Sequence, residues 1–110
     1  MRSVGEEHCM HTTVRKYEGV GNPAEAAAKI QQGFVPLISG IPGFVEYFWV
    51  DLGQGAMLSI SVFDDLAHAI ESNQLAAGWV AVNMPSLLPQ ASRIESGRVV
   101  ARRGSAKAKA

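Results

Sequence analysis

The order strand, helix, strand, strand, helix, strand predicts an α+β domain with an antiparallel sheet, the ferredoxin-like βαββαβ arrangement built from two split strand-helix-strand units. Three observations predict it. Two stretches of helical period each follow a capping signature, at Asn22-Pro23 and at Asp64-Asp65. Between them, Phe44 to Asp51 and Ala56 to Phe63 are rich in β-branched and aromatic residues and are joined by the turn Gly53-Gln54-Gly55. A strand-like segment stands at either end of the whole.

Taken in order, His11 to Glu18 reads as the first strand and stops at Gly19-Val20-Gly21. Asn22 then offers an N-cap oxygen, Pro23 suits the first helical position because it has no amide to satisfy, and Glu25 completes a capping box. Ala26, Ala27, Ile30, Phe34, Leu37 and Ile38 fall on one stripe of this helix, opposite Glu25, Lys29 and Gln32. Pro36 removes one backbone bond, so a bend is expected there, and Gly40 ends the helix before Pro42-Gly43. The second helix should run from about Leu66 to Asn83, its sheet-facing stripe being Leu66, Ala69, Ile70, Ala76, Ala77, Val80 and Met84. Pro85 and Pro89 close it, and a last strand follows over about Arg93 to Ala101. Gly33-Phe34-Val35 and Gly78-Trp79-Val80 hint at an internal duplication, on three residues only.

With 110 residues the chain has room for one core. Its 47% hydrophobic and 18% charged residues describe a folded domain rather than a disordered one. No apolar run approaches the roughly 20 residues of a membrane helix, and no signal-peptide core opens the chain, so a cytoplasmic location without membrane partners is expected. A net charge of zero hides an asymmetry: all the acidic residues precede Gly97, whereas Arg98, Arg102, Arg103, Lys107 and Lys109 follow it. The expected organisation is a flexible extension over 1–10, a folded domain over 11–101 and a basic, disordered tail over 102–110. Met10 offers a second possible start. The tail is short and lacks aromatic residues, so no nucleic-acid partner is expected.

One cysteine, Cys9, forms no internal disulfide and no CxxC pair. His8, Cys9, Met10 and His11 are soft ligands, but four adjacent residues of an extended chain do not reach one metal with good geometry, so no metal site is expected. Phosphate-loop, dinucleotide, zincin and hydrolase motifs are missing, and no cofactor is called for.

Both faces of the central hairpin ask for cover. Phe44, Phe48 and Val50 are read on one side of its first strand, interrupted by Glu46, with Val45, Tyr47 and Trp49 on the other. Leu58, Ile60 and Val62 alternate with Met57, Ser59, Ser61 and Phe63 on its second. Two helices cover one face of a sheet, and leaving Tyr47 and Trp49 open would create an apolar patch uncommon on a monomer. A second copy packed sheet to sheet is the simplest lid, which predicts a homodimer. The second helix is apolar on two sides as well, since Trp79, Leu75 and Val82 project away from its main stripe, beside His68 and Ser72. They serve either packing or a ligand wall.

The element order, the turn Pro42-Gly43-Phe44 entering the second strand, and Ser59-Ile60-Ser61-Val62-Phe63-Asp64 running into the second helix resemble the antibiotic biosynthesis monooxygenase-like family. The likeness spans about His11 to Ala101, and its motifs are structural. It implies a dimeric α+β barrel with a cleft between sheet and helices in each subunit. It also implies a small hydrophobic or aromatic ligand, and a cofactor-independent monooxygenase as one possible activity. Such chemistry needs a dry pocket, partners for a developing anion and aromatic walls. The candidate lining is Tyr47, Trp49 and Trp79 for substrate, with Asn73 and His68 as polar groups for catalysis. Asn73 lies within an apolar stripe, where its amide must find partners in a backbone carbonyl, a second subunit or a ligand. His68 lies outside that stripe, where an exposed histidine is the plain alternative. A non-enzymatic accessory or ligand-binding dimer is the other reading of the same residues. An open cleft with Asn73, Tyr47 or His68 turned inward would favour the enzyme; Trp79 and Phe48 packing it shut would favour the module.

Overall fold

The computed structural model describes residues 10–104; residues 1–9 of the extension expected over 1–10, with His8 and Cys9, and residues 105–110 of the tail expected over 102–110 lie outside the described residues. Strand β1 (His11–Tyr17) leads to a long helical segment made of α1 (Pro23–Lys29), a π-helical turn (Ile30–Phe34) and α2 (Val35–Ile38). Strands β2 (Phe44–Gly53) and β3 (Ala56–Phe63), helix α3 (Leu66–Asn83) and strand β4 (Arg93–Arg98) complete the chain. The strands form one sheet in the order β2-β3-β1-β4, antiparallel throughout. This is the ferredoxin-like α+β arrangement.

Local chemistry explains each boundary. Asn22 caps α1, its side-chain oxygen accepting the Glu25 amide at 3.1 Å. Pro36 has no amide for the carbonyl four residues back; the backbone responds one turn earlier, where Val35 N–H reaches Ile30 O in the wider π pattern. The irregularity expected at Pro36 is therefore spread over Ile30–Phe34, and Leu37, read on the buried stripe, is 41% exposed while Ile38 and Ile41 are buried. Gln54 (φ 55°) and Gly55 (φ 80°) make the two-residue β2–β3 turn with both central residues left-handed, the twist that a tight hairpin favours. Gly43 (φ 83°) tolerates no side chain, because a Cβ there would run into the Asp64 carboxylate.

A bulge between Phe44 and Glu46 corrects the alternation read from sequence. One extra residue in β2 shifts the period, so Phe44 pairs with Phe63, its ring 5.9 Å away, on the helix side of the sheet. Glu46, Phe48 and Val50 point the other way. Tyr47 and Trp49 are consequently covered by the helices, and the aromatic left open is Phe48, 48% exposed. In register with it, Phe48, Ile60 and Val14 form one cross-strand row on the face without helices, flanked by Val50, Leu58 and Val62.

Helix α3 is also turned relative to its expected stripe. Ala69, Ser72 and Ala76 are its buried residues, whereas Leu66 and Ile70 are 46% and 48% exposed. Small side chains let the helix approach a sheet face that already carries large ones, and Ser72 removes its hydroxyl from contention by donating to Ala69 O at 2.6 Å. Trp79 is packed rather than open: its ring lies 5.5 Å from Phe34 and fills the space a Cβ on Gly33 would need. The two triplets that hinted at duplication thus meet through Phe34 and Trp79. No helix among the described residues is long and apolar enough to cross a membrane.

Candidate functional site

The helix-facing side of the sheet is unusually polar for a core. In the register, Arg15, Ser59 and Trp49 lie in one cross-strand row, and Thr13, Ser61 and Tyr47 in the next. Arg15, Ser59, Thr13 and Ser61 are all 2% exposed or less. Arg15 is the unexpected member, since a guanidinium stays protonated in proteins and burying one without compensation costs several kcal/mol.

What holds Arg15 is Asn73. Arg15 Nη1 donates to Asn73 Oδ1 at 2.7 Å, and the Thr13 hydroxyl donates to the same oxygen at 3.0 Å. Ser96 Oγ in turn donates to Thr13 Oγ1 at 2.9 Å. Two donors on one amide atom identify it as the oxygen and leave Nδ2 directed elsewhere. Arg15 also reaches Ser61 Oγ at 3.5 Å and lies 5.9 Å above the Phe34 ring, a distance at which the π face attracts a cation. None of the ion pairs among the described residues involves Arg15.

This pair forms the floor of a cleft of about 550 Å³ between α3, the β1–β4 edge and the segment after α3. Tyr17, Val80, Pro85, Leu88, Pro89 and Ile94 supply apolar wall, with Ala77, Ala81 and Ala91 between them and Gln90 at the rim. A mostly apolar concavity with a few convergent polar groups is the ordinary form of a small-molecule site.

Of the residues singled out from sequence, Asn73 lines this cleft, and its partners are side chains of β1 rather than a backbone carbonyl. Tyr47 and Trp49 stand behind it: Tyr47 meets Phe34 edge-on at 5.5 Å, and Trp49 lies 5.5 Å from Tyr17, which is in the wall. Trp79 belongs to a separate, smaller groove with Lys29, Gln32, Gly33 and Asn83. His68 is spent on the start of α3, where Asp65 accepts both its backbone N–H and, through Oδ2, a contact from its ring Nδ1 at 2.8 Å. These bonds, the backbone one foremost, hold the Asp65 carboxyl below the usual carboxylate range. Asp64, Asp65 and His68 lie close enough together to offer three ligand atoms, but the cap already uses two of these residues. Sequence reasoning missed Arg15, Tyr17 and the Pro85–Ala91 wall. A signal for the first was present: Arg15 and Lys16 are adjacent in a strand, so one of the two must face the helices.

Burial pushes the Tyr47 hydroxyl up to about 12, with Ser59 and Arg15 drawing it back part of the way. Neither neighbour completes a hydrogen bond of good geometry, and Tyr47 OH, Trp49 Nε1, Ser59 Oγ and Arg15 Nε are all buried without partners. Tyr47 therefore stays protonated at physiological pH and is no base.

No family model and no curated protein matches the sequence. Solved structures do match its fold. A protein of unknown function from Nitrosomonas europaea is 20% identical, covers 91% of this chain and 98% of its own, and superposes with a TM-score of 0.66. A candidate antibiotic biosynthesis monooxygenase from Chloroflexus aurantiacus is 19% identical, with 86% and 97% covered and a TM-score of 0.63. The chain has the fold of antibiotic biosynthesis monooxygenase-like proteins. SnoaB, a cofactor-independent oxygenase from Streptomyces nogalater, shares it as well, at 21% identity over 87% of this chain and 96% of that one, with a TM-score of 0.59.

Proposed function

We propose that this chain works as a homodimer whose subunits each bind a small aromatic molecule in the cleft floored by Arg15 and Asn73, and that it oxygenates that molecule without a cofactor. The observation that carries the reading is the cleft itself: open, apolar-walled, and equipped at its floor with one cation and one amide fixed by a hydrogen bond. The shared fold with a cofactor-independent oxygenase supports the reaction class. In such a reaction an acidic CH₂ next to an aromatic system loses a proton, the carbanion gives an electron to dioxygen, and the net change is CH₂ plus O₂ to C=O plus water. In this reading Asn73 Nδ2 and the Arg15 guanidinium stabilise the negative oxygen that forms as the carbanion delocalises. Tyr17, largely buried and packed on Trp49, gives the cleft an aromatic edge against which the ring would lie.

The dimer follows from the uncovered row of Phe48, Ile60 and Val14, with Val50, Leu58 and Val62 beside it. The apolar middle of that face, bordered by Glu46, Lys16 and Glu95 in the same rows, is the surface that a second copy would cover. A cytoplasmic location is part of the same reading.

One observation favours a second reading, a binding dimer without catalysis. The polar groups among the described lining residues are Arg15, Tyr17, Asn73 and Gln90, and none is a carboxylate or an imidazole that would accept a proton. Oxygen uptake with a tricyclic anthrone as substrate decides between them. The enzyme reading predicts uptake and quinone absorbance that rise with protein concentration and persist in EDTA. Binding without any uptake above the spontaneous rate leaves the module, and absence of binding by the anthrone and other small aromatics overturns both.

A further inference from the structure

We infer that the aromatic ligand enters the cleft as an anion, an aromatic ring bearing an ionised oxygen that seats against the Arg15 guanidinium and the Asn73 amide. This rests on the reading that the cleft binds a small aromatic molecule, and it names the chemistry that the floor selects.

Arg15 is 2% exposed and among the described residues is paired with no acid. Its acceptors are neutral, Asn73 Oδ1 at 2.7 Å and Ser61 Oγ at 3.5 Å, and its Nε has none. A buried guanidinium with five N–H donors is compensated best by a carboxylate or a similar oxyanion, which matches its planar fork. Behind it, Trp49 Nε1 is a further donor without an acceptor. Asn73 continues the pattern, because its Oδ1 is committed to two protein donors and its N–H₂ has no protein acceptor among the described residues. A site with unspent positive charge and spare N–H groups discriminates against ammonium ligands and prefers an anion to its neutral isostere. Where the ionised oxygen is the enolate of that acidic CH₂, the ligand arrives without the proton that a base would have to take.

The test is isothermal titration calorimetry of the whole chain with three probes of one shape: 2-naphthoate, 2-naphthamide and 2-naphthylmethylammonium. The inference predicts that naphthoate binds at least tenfold more tightly than the amide, that the ammonium probe binds more weakly than either, and that Arg15→Met lowers naphthoate affinity at least tenfold more than it lowers amide affinity, which erases the preference. The comparison within the unmodified protein stands alone should Arg15→Met fail to fold, and Arg15→Lys, which keeps the charge without the fork, is predicted to retain part of the preference. Equal affinity for naphthoate and naphthamide overturns the anion inference and leaves the aromatic cleft intact. Failure of all three probes, together with failure of the tricyclic anthrone, overturns the cleft as a ligand site.

Discussion

Arg15 on the central strand donates through Nη1 to Asn73 Oδ1 on helix α3, 2.7 Å away and 58 residues on in the sequence. This bond crosses from one layer of the fold to the other, and it fixes both the charge and the amide at the cleft floor. Replacing Asn73 by Leu leaves Nη1 and Thr13 Oγ1 facing apolar surface. We expect a loss of about 2 to 3 kcal/mol, the usual consequence of orphaning a buried charged donor. Asn73→Asp, which supplies a carboxylate to the same guanidinium, keeps or raises the melting temperature at neutral pH while abolishing the preference for anionic ligands. Thermal unfolding followed by circular dichroism checks the pair, and equal melting temperatures for the Leu and Asp variants would contradict the assignment.

Tyr47 offers a test of burial. Its hydroxyl is raised to about 12 in the folded protein, against about 10 when the chain is unfolded. A group with a raised pKa contributes its stabilisation fully below the unfolded value and loses it as pH climbs through the folded one. Stability should accordingly fall between about pH 10 and 12, by about 2 to 3 kcal/mol from this residue. Tyr47→Phe removes that fall. It also removes a buried hydroxyl that has no partner, so at neutral pH the variant should be as stable as the parent or slightly more so. Denaturant titrations at pH 7 and pH 11 read both effects.

Much of the fold is legible in the sequence. Capping chemistry placed both helix starts, because Asn22 and Asp65 carry their own hydrogen-bond acceptors in the sequence. The hairpin was equally plain in its glycines. Two register events were not: the bulge beside Phe44 and the π turn before Pro36 each shift a periodic pattern by one residue, and neither has a local composition that announces it. Those shifts explain why Phe44 changed sides and Leu37 came out. The site was half legible. Asn73 stands out as an amide in an apolar stripe, but its partner Arg15 lies beside Lys16 in a strand whose residues do not say which of the two faces the helices, and the cleft walls come from an irregular segment with no periodicity to read. Tyr47, Trp49, Trp79 and His68 were attractive by residue type, and packing or capping accounts for where each of them lies.

The uncovered sheet face makes its own prediction. Ile60 sits between Val14 and Phe48 in the middle of the open row. Ile60→Lys places a charge at the centre of the proposed subunit contact and touches no helix. Sedimentation at micromolar protein should show the parent as a particle of twice its 11.8 kDa and the variant as a single copy. A parent that sediments as a folded monomer would remove the dimer from the account.

At the start of α3, Asp65 accepts the His68 amide at 2.8 Å, so Asp65→Ala should cost about 1 kcal/mol, the typical loss of an N-cap. The pH dependence has the opposite sign to that of Tyr47. A depressed carboxyl pKa stabilises above the unfolded value, about 3.9, and that contribution disappears as pH falls through the lower folded value. Acid unfolding of the parent, compared with Asp65→Ala and Asp65→Asn, should show a smaller acid loss in both variants. Asparagine retains the cap at neutral pH, which separates the capping bond from the charge.

The most direct measurement is a crystal structure of the protein soaked with an aromatic ligand, 2-naphthoate first. Ring density against Tyr17 with oxygens within hydrogen-bond distance of Arg15 and Asn73 is the predicted result. Density confined to the groove beside Trp79 or to the outer face of the sheet, with the Arg15 cleft empty, would contradict it.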